Sequence, residues 1–213
     1  MSKTIALDLD NTEQQVLEEM IKTPNAEFKE NVVWENNAVK IVELEVEKDC
    51  KWIGTRYKND NVAILPYTTT EFGLIENIGL LYEFNAFRDD KYSWTLVTGG
   101  EDDSDETHLN TAQREFQEES GFLVEDADLW TYLGTVTTSK MIDYAHPCYA
   151  VNVTGIEKGK EDKKSTAEKL SRFEFKPLSF AIRQNDAFIL SAIMKFYIIN
   201  YTQTFKIKEK DGQ

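Results

Sequence analysis

The sequence has little of what a disulfide-stabilised scaffold or a membrane protein needs. It contains only two cysteines, Cys50 and Cys148, which are too few for a disulfide framework, so a reducing cytoplasm is the expected location. No apolar run approaches the roughly 20 residues that cross a membrane as a helix. The first ten residues carry acidic side chains and are not expected to be a secretory signal.

Basic residues are also scarce. The chain of 213 residues has 24 Lys and Arg against 38 Asp and Glu, which gives a formal net charge of −14. Nucleic acids and anionic membranes attract basic surfaces, so we expect neither of them as a partner. If such an acidic protein acts on small anionic metabolites, a further component must neutralise the negative charges of both the protein and the metabolite.

The composition and the hydrophobic pattern indicate a layered domain of mixed secondary structure. Apolar residues make up 41 % and charged residues 29 %, and the length suits one domain with an extension. The apolar spacing predicts helices over 12–22, 107–120 and 185–201. The residues of the last helix that are expected to face the core are Ala187, Phe188, Leu190, Ala192, Ile193, Phe196 and Tyr197.

Strands are predicted on both sides of the middle helix. Residues 32–34 and 39–46 are expected to form a hairpin around an Asn36-Asn37 turn. Further strands are expected at 61–67, 73–85, 94–97, 129–138, 145–153 and 171–176. The polar residues 155–168 are expected to form a mobile loop. Strands before and after a helix indicate an α/β or α+β fold.

The segment 99–122, with the sequence GGEDDSDETHLNTAQREFQEESGF, carries the chemistry. Helical residues at i, i+3 and i+4 share a face, so Glu115, Glu118 and Glu119 are expected to project together. A hard cation such as Mg²⁺ or Mn²⁺, held by oxygen ligands, would relieve the repulsion among them. Without a metal, the same residues would form only a solvated acidic face. The apolar residues that lie on another stripe and can bury against a sheet are Leu109, Ala112 and Phe116.

The residues around these glutamates suit a metal-binding helix. Arg114 can hold one of the glutamates by a charge-assisted hydrogen bond. Gly99 and Gly100 are expected to let the chain turn sharply and aim main-chain carbonyls at the metal. Gly121 is expected to end the helix.

The same segment resembles the signature box of the Nudix hydrolases. That pattern is Gly, five residues, Glu, seven residues, then Arg-Glu-apolar-x-Glu-Glu-x-Gly-apolar. The matching residues are Gly100, Glu106, Arg114, Glu115, Phe116, Glu118, Glu119, Gly121 and Phe122. The resemblance implies an α/β/α sandwich with a mixed central sheet, preceded by a helix and β-hairpin extension. The expected bounds are 1–57 for the extension, 58–205 for the hydrolase domain and 206–213 for a tail.

The resemblance also implies divalent-metal-dependent hydrolysis of a nucleoside diphosphate linked to another group. The implied metal ligands are Glu115, Glu118, Glu119 and the main-chain carbonyl of Gly99. Glu118 and Glu119 would take part in catalysis, with Arg114 orienting a glutamate. Glu106 would have a structural or supporting role.

Segments outside the box are similar to the ADP-ribose pyrophosphatase branch of the family. The similarity is carried by VAILPY at 62–67, by YLGTVTTSKMIDYAHPCYAV at 132–151 and by a strand-rich segment before the hydrolase core. It implies ADP-ribose or a nucleotide sugar as the substrate. It also implies a homodimer that the N-terminal strands help to build.

That branch places a catalytic glutamate in the loop before the last strand. In this chain the loop is 155–168, where Glu168 has the matching position and Glu161 and Asp162 are alternatives. A loop carboxylate can act as a base when closure of the loop brings it to the reacting water. The predicted substrate contacts are Gly100, Arg88 to a phosphate or ribose, and Phe84 or Tyr144 stacked on the base.

Two other functions are compatible with the pattern. One is a non-catalytic module that senses a nucleotide, and the other is a house-cleaning pyrophosphohydrolase for nucleoside triphosphates. Sensing modules usually lose box carboxylates, and this chain keeps all of them. Enzymatic turnover is therefore the leading hypothesis.

Removal of divalent metal is expected to lower both thermal stability and substrate affinity, because the clustered carboxylates would then repel one another and the substrate. Thermal unfolding and nucleotide binding, each measured with and without a chelator, test this expectation. If neither quantity changes, the acidic face is only a solvated surface.

Overall fold

The computed structural model describes most of the chain. The described residues are 29–36, 39–47, 50–57, 61–85, 91–137, 145–162 and 171–210. The helix predicted over 12–22 therefore lies outside the described residues. Within them, no helix is long and apolar enough to cross a membrane.

A three-stranded antiparallel sheet begins the described chain. It consists of β1 (Lys29–Glu35), β2 (Val39–Glu47) and β3 (Cys50–Tyr57), paired in that order. Asn36 closes the first turn, because its side-chain oxygen accepts a hydrogen bond from the backbone N–H of Val39 at 2.8 Å. The predicted hairpin is confirmed, and β3 extends it by a strand that the sequence pattern does not predict.

A second sheet contains seven strands of the described chain. They are β4 (Asn61–Thr69), β5 (Ile75–Phe84), β6 (Tyr92–Thr95), β7 (Val97–Gly100), β8 (Trp130–Val136), β9 (His146–Asn152) and β10 (Arg172–Pro177). Five strands follow the order β10-β5-β4-β9-β8, while β6 pairs with β5 and β7 pairs with β4. Because β4 and β9 run parallel and the other pairs are antiparallel, the sheet is mixed, as predicted.

The single strand predicted over 94–97 is two strands in the structure. The first, β6, pairs with β5, whereas β7 pairs with β4 and includes both glycines. Strands β4 and β5 pair with each other only through residues 67–69 and 75–78, so they diverge beyond that point. One straight strand cannot bond to both of them. The chain changes partner at Leu96, whose side chain is buried.

The described chain also contains three α-helices, α1 (His108–Ser120), α2 (Leu178–Ala181) and α3 (Ala187–Lys210), and one short 3₁₀ helix at Ala127–Leu129. Thr107 caps the start of α1, because its hydroxyl oxygen accepts from the Asn110 N–H at 3.2 Å. Gly121 ends α1 at φ 81°, a left-handed conformation that glycine adopts without strain. These bounds confirm the predicted middle helix. The last helix continues to Lys210 and so includes the first residues of the predicted tail.

Helix α3 buries a narrower stripe than the sequence pattern predicts. Ala192, Ile193 and Phe196 are buried as expected, but Ala187 and Leu190 are exposed. Leu190 begins a stripe with Met194 and Ile198 at intervals of four residues, and all three side chains are exposed. Residues at this spacing share one helix face, so this face of α3 lies away from the sheet.

Helices α1 and α3 cover opposite faces of the seven-stranded sheet. On the α1 face, Phe116 packs in a core cluster that contains Ile64 of β4. On the α3 face, Ile189 packs in a second cluster that contains the next strand residue, Leu65. Successive side chains of a strand point to opposite faces, so the two clusters lie on the two sides. The predicted α/β/α sandwich is confirmed.

Phe116→Ala is expected to lower the free energy of unfolding by about 3–5 kcal/mol, because it leaves a cavity in this core. The Phe116 ring is fully buried among the rings of Phe122, Trp130 and Phe173. Urea unfolding measures the change. Phe72→Ala is the matched control, since the Phe72 side chain is 82 % exposed. Equal effects of the two substitutions would contradict this assignment of the core.

Candidate functional site

A close approach between a strand and a helix forms the centre of the site. Strand β7 passes next to α1, and a Cβ atom placed on Gly99 would overlap the carboxyl group of Glu115. The Glu115 side chain therefore lies directly against the main chain of β7. The sharp turn predicted for Gly99 and Gly100 is wrong, because both residues lie in β7 and neither has a positive φ. At Gly99 glycine is needed for the close approach of Glu115.

Arg114 connects β7 with the glutamates of α1. Its Nη2 donates to the carbonyl oxygen of Gly100 at 2.6 Å, so the residue predicted to contact substrate binds Arg114 through its carbonyl. Its Nη1 donates to Glu115 Oε1 at 2.8 Å and lies 3.6 Å from Glu118 Oε2. One guanidinium thus lies between two of the predicted metal ligands. Hydrogen bonds to Asp105 first and to Glu115 second raise the pKa of Arg114.

The strongest partner of Arg114 is Asp105, which the sequence pattern does not single out. Arg114 Nη2 donates to Asp105 Oδ2 at 2.7 Å, and Nε lies 3.2 Å from Oδ1. The guanidinium holds the pKa of Asp105 below its usual range. The pair therefore stabilises the fold at neutral pH, and this contribution disappears as the pH falls through the lowered pKa. Glu106, the residue predicted to have a supporting role, is exposed.

Glu119 is held by a residue that lies far outside the segment 99–122 in the sequence. Its side chain is buried, and its Oε2 accepts a hydrogen bond from the hydroxyl of Ser171 at 3.2 Å. Ser171 is also buried and directly precedes β10. Nothing in the local sequence marks Ser171, because 52 positions separate it from Glu119 and only the packing of α1 on β10 brings the two together.

The described part of the predicted catalytic loop lies across the end of α1. The N–H of Gly159 donates to the carbonyl of Gly121 at 2.8 Å, and the N–H of Asp162 donates to the carbonyl of Glu118 at 3.0 Å. These bonds satisfy carbonyl groups that a helix leaves open at its C-terminus. They bring Asp162 and Glu161 to the helix that carries the glutamates. Glu161 forms an ion pair with Lys158 at 2.7 Å.

Several predicted site residues cannot be placed, because Arg88, Tyr144 and Glu168 lie outside the described residues. Phe84 ends β5 with its ring 48 % exposed and edge-on to Tyr92, at 5.6 Å between ring centroids. This exposure leaves the ring of Phe84 accessible to a ligand.

The donor atoms of the site suit a hard divalent cation. Glu115, Glu118 and Glu119 offer only oxygen ligands, and Glu115 lies against the main chain of Gly99. Within the described residues, however, no three acidic, histidine or cysteine side chains are already gathered into a metal-binding group. Arg114 binds two of the carboxylates and Ser171 binds the third. All three carboxylates are therefore held by neighbouring side chains.

The buried Cys148 is not a nucleophile of this site. Burial raises the pKa of its thiol to about 12, so the thiol stays protonated at neutral pH. His146, two residues earlier, is buried edge-on to the ring of Phe188 at 4.9 Å between centroids. Both residues lie in β9 and belong to the core of the sheet.

Comparison with known proteins places this site in a family. A family model described as NUDIX domain matches residues 74–186, which is just over half of the chain and includes all of 99–122. A solved structure described as an ADP compounds hydrolase has a TM-score of 0.56 at 17 % identity, covering 82 % of this chain and 93 % of that chain. This likeness shows a shared fold.

A second solved structure is that of the NUDIX domain of Shewanella oneidensis NrtR complexed with ADP ribose. Its TM-score is 0.49 at 17 % identity, covering 64 % of this chain and 84 % of that chain. No curated protein sequence matches the chain.

Gly99→Ala is expected to displace the Glu115 carboxyl group and to weaken Mn²⁺ binding, while costing at most about 1 kcal/mol of stability. The stability cost is small because the flexible Glu115 side chain can move aside. Gly100→Ala is the matched control, since its new Cβ would meet only the side-chain oxygen of Asn61, at 3.2 Å. Mn²⁺ titration followed by electron paramagnetic resonance measures the difference, and equal affinities for the two variants would contradict the prediction.

Proposed function

The chain belongs to the NUDIX domain family, and from this premise we propose that it is a pyrophosphohydrolase that cleaves a nucleoside diphosphate linked to another group. ADP-ribose or a nucleotide sugar is the proposed substrate, with Mg²⁺ or Mn²⁺ as the cofactor. The observation that carries the proposal is the Arg114 guanidinium, which holds Glu115 and Glu118 beside the main chain of β7.

The proposed metal ligands are the carboxylates of Glu115, Glu118 and Glu119 and the main-chain carbonyl of Gly99. A divalent cation bound there would neutralise the pyrophosphate and lower the pKa of the attacking water. Arg114 holds the Glu115 carboxylate through a hydrogen bond and lies within ion-pair distance of Glu118. Ser171 fixes the orientation of the Glu119 carboxylate through its hydroxyl.

We assign the general base to a carboxylate of the loop 155–168. Glu168 is the residue that the family resemblance suggests. The alternatives, Glu161 and Asp162, are supported by the backbone hydrogen bond from Asp162 to Glu118, which holds their segment next to a proposed metal ligand. A base on this segment can take a proton from water that attacks a phosphorus atom near α1.

We assign substrate recognition to aromatic and basic side chains and to the main chain of Gly100. Phe84, whose ring is exposed, would stack on the base. Arg88 would contact a phosphate or the ribose, and Tyr144 is the alternative stacking residue. Gly100, whose own carbonyl binds Arg114, would contribute through its main chain.

The first sheet supports a homodimer. Contiguous exposed apolar surface marks contacts with other proteins. Among the residues of this sheet whose exposure is described, the exposed apolar ones include Val32, Val33, Trp34 and Ile53. We propose a second copy of this chain as the partner that covers them and a cytoplasmic location for the dimer.

Hydrolysis is tested by incubating the protein with Mg²⁺ and ADP-ribose, NADH, nucleotide sugars or nucleoside triphosphates. ADP-ribose or a nucleotide sugar is expected to release AMP or another nucleoside monophosphate fastest. Glu119→Gln is expected to lower kcat by about 100-fold or more, since even the outer partners of metal ligands contribute roughly 10–100-fold.

The matched control is Glu125→Gln, the same chemical change at an exposed position beyond the helix, which is expected to leave the rate unchanged. If no compound is hydrolysed, the proposed function is wrong. Tight, metal-dependent nucleotide binding without turnover would instead identify a sensing module. Triphosphates cleaved faster than all the other compounds would identify a house-cleaning enzyme.

A further inference from the structure

We propose that Asp105, and not the neighbouring Glu106, is the positioning residue for the metal-binding face of α1. Acting through Arg114, its carboxylate fixes the places of the Gly100 carbonyl and of the Glu115 carboxylate. This inference rests on the proposed function, because it concerns residues that are to bind the cation. It assigns a role to a residue that the family pattern leaves unspecified.

The geometry of Asp105 is that of a two-pronged ion pair. Both carboxylate oxygens face the guanidinium of Arg114, with Oδ2 at 2.7 Å from Nη2 and Oδ1 at 3.2 Å from Nε. Only 5 % of the Asp105 side chain is exposed, against 22 % for Arg114. An ion pair shielded from water in this way is stronger and better oriented than a surface pair.

Asp105 is itself held in place by the loop that precedes α1. The N–H of Asp102 donates to Asp105 Oδ2 at 2.9 Å, and the N–H of Asp105 donates to the carbonyl of Asp102 at 2.9 Å. The carboxylate is therefore fixed from the loop side as well as from the helix side.

This anchor decides where the other N–H groups of Arg114 point. A guanidinium is planar, so two bonds to Asp105 set the plane in which Nη1 and Nη2 lie. In that plane Nη2 donates to the Gly100 carbonyl and Nη1 donates to Glu115. Glu118 is farther away, with its Oε2 at 3.6 Å from Nη1. Without Asp105, Arg114 would be free to pair fully with Glu115 and Glu118. It would then compete with a cation for these carboxylates.

Glu106 provides a natural comparison, because it is the next residue and carries the same charge. It is the acid that the spaced family pattern specifies, yet its side chain is exposed. The residue that reaches Arg114 from the same loop is Asp105. The family pattern therefore predicts that the Glu106 carboxylate supports the site, whereas the ion pair with Arg114 assigns that role to the Asp105 carboxylate.

The first experiment measures the Mn²⁺ dissociation constant of folded variants by electron paramagnetic resonance. Asp105→Asn is expected to weaken binding about 10–100-fold, the usual effect of removing a partner that orients a metal ligand. Glu106→Gln is also expected to raise the Mn²⁺ dissociation constant, but by a factor about fivefold smaller, or smaller still, than the factor for Asp105→Asn. Asp105→Glu keeps the charge and is expected to bind Mn²⁺ more tightly than Asp105→Asn. A larger loss for Glu106→Gln, or equal losses for Asp105→Asn and Asp105→Glu, would overturn the proposal.

Two controls separate positioning from general destabilisation. Asp103→Asn removes an exposed charge from the same loop and is expected to leave Mn²⁺ binding unchanged. Ile193→Val removes a buried methylene group from the core cluster on the α3 face of the sheet and so lowers stability. It is also expected to leave Mn²⁺ binding unchanged. If Ile193→Val weakens Mn²⁺ binding as much as Asp105→Asn does, the effect of Asp105 is only structural and the proposal fails.

A double-mutant cycle without metal tests the pair independently of the proposed function. Asp105→Asn and Arg114→Gln, alone and together, are compared by urea unfolding in the presence of a chelator. The folding constant of the double variant is expected to exceed the value for additive effects by about fivefold or more. The cycle of Glu106→Gln with Arg114→Gln is expected to be additive. Additivity in the first cycle would overturn the pairing, whereas a parent protein that neither binds Mn²⁺ nor hydrolyses any nucleotide would overturn the proposed function instead.

Discussion

The guanidinium of Arg114 is the group on which the candidate site depends. It joins the loop before α1, the end of β7 and the acidic face of α1, through Asp105, Gly100 and Glu115 respectively. Each of these partners offers a main-chain or carboxylate oxygen as the acceptor. The planar guanidinium has five N–H donors, so it can bind all three partners at once. A lysine could not do this, because its ammonium is a point charge without the planar fork.

The rest of the fold keeps α1 in the one position where this arrangement is possible. Phe116 anchors the helix on the sheet, and the bonds from Gly159 and Asp162 hold its C-terminal end. Glycine at position 99 lets the strand and the Glu115 carboxyl group meet without a side chain between them. The net charge of −14 is consistent with this function, since many acids lie in 101–119, where a bound cation would bridge them to an anionic substrate.

Local features of the fold could be predicted because their causes are local. Thr107 and Gly121 set the ends of α1 through hydrogen bonds and a backbone conformation within a few residues. The division of 92–100 into two strands was not predictable, because it depends on where β4 and β5 diverge. The exposure of Leu190 likewise depends on how α3 lies on the sheet, and its apolar side chain alone indicates the opposite.

By itself the sequence determined the family, the layered fold and the glutamates of the site, because the spacing of charged residues on a helix is a local property of the chain. Only the tertiary structure decided which residues support those glutamates. It selected Asp105 over Glu106 as the partner of Arg114, and it brought Ser171 to Glu119 across 52 positions. It also showed that Gly99 is required for contact and not for a turn. These choices depend on burial and on approaches between distant segments, and only a packed chain creates them.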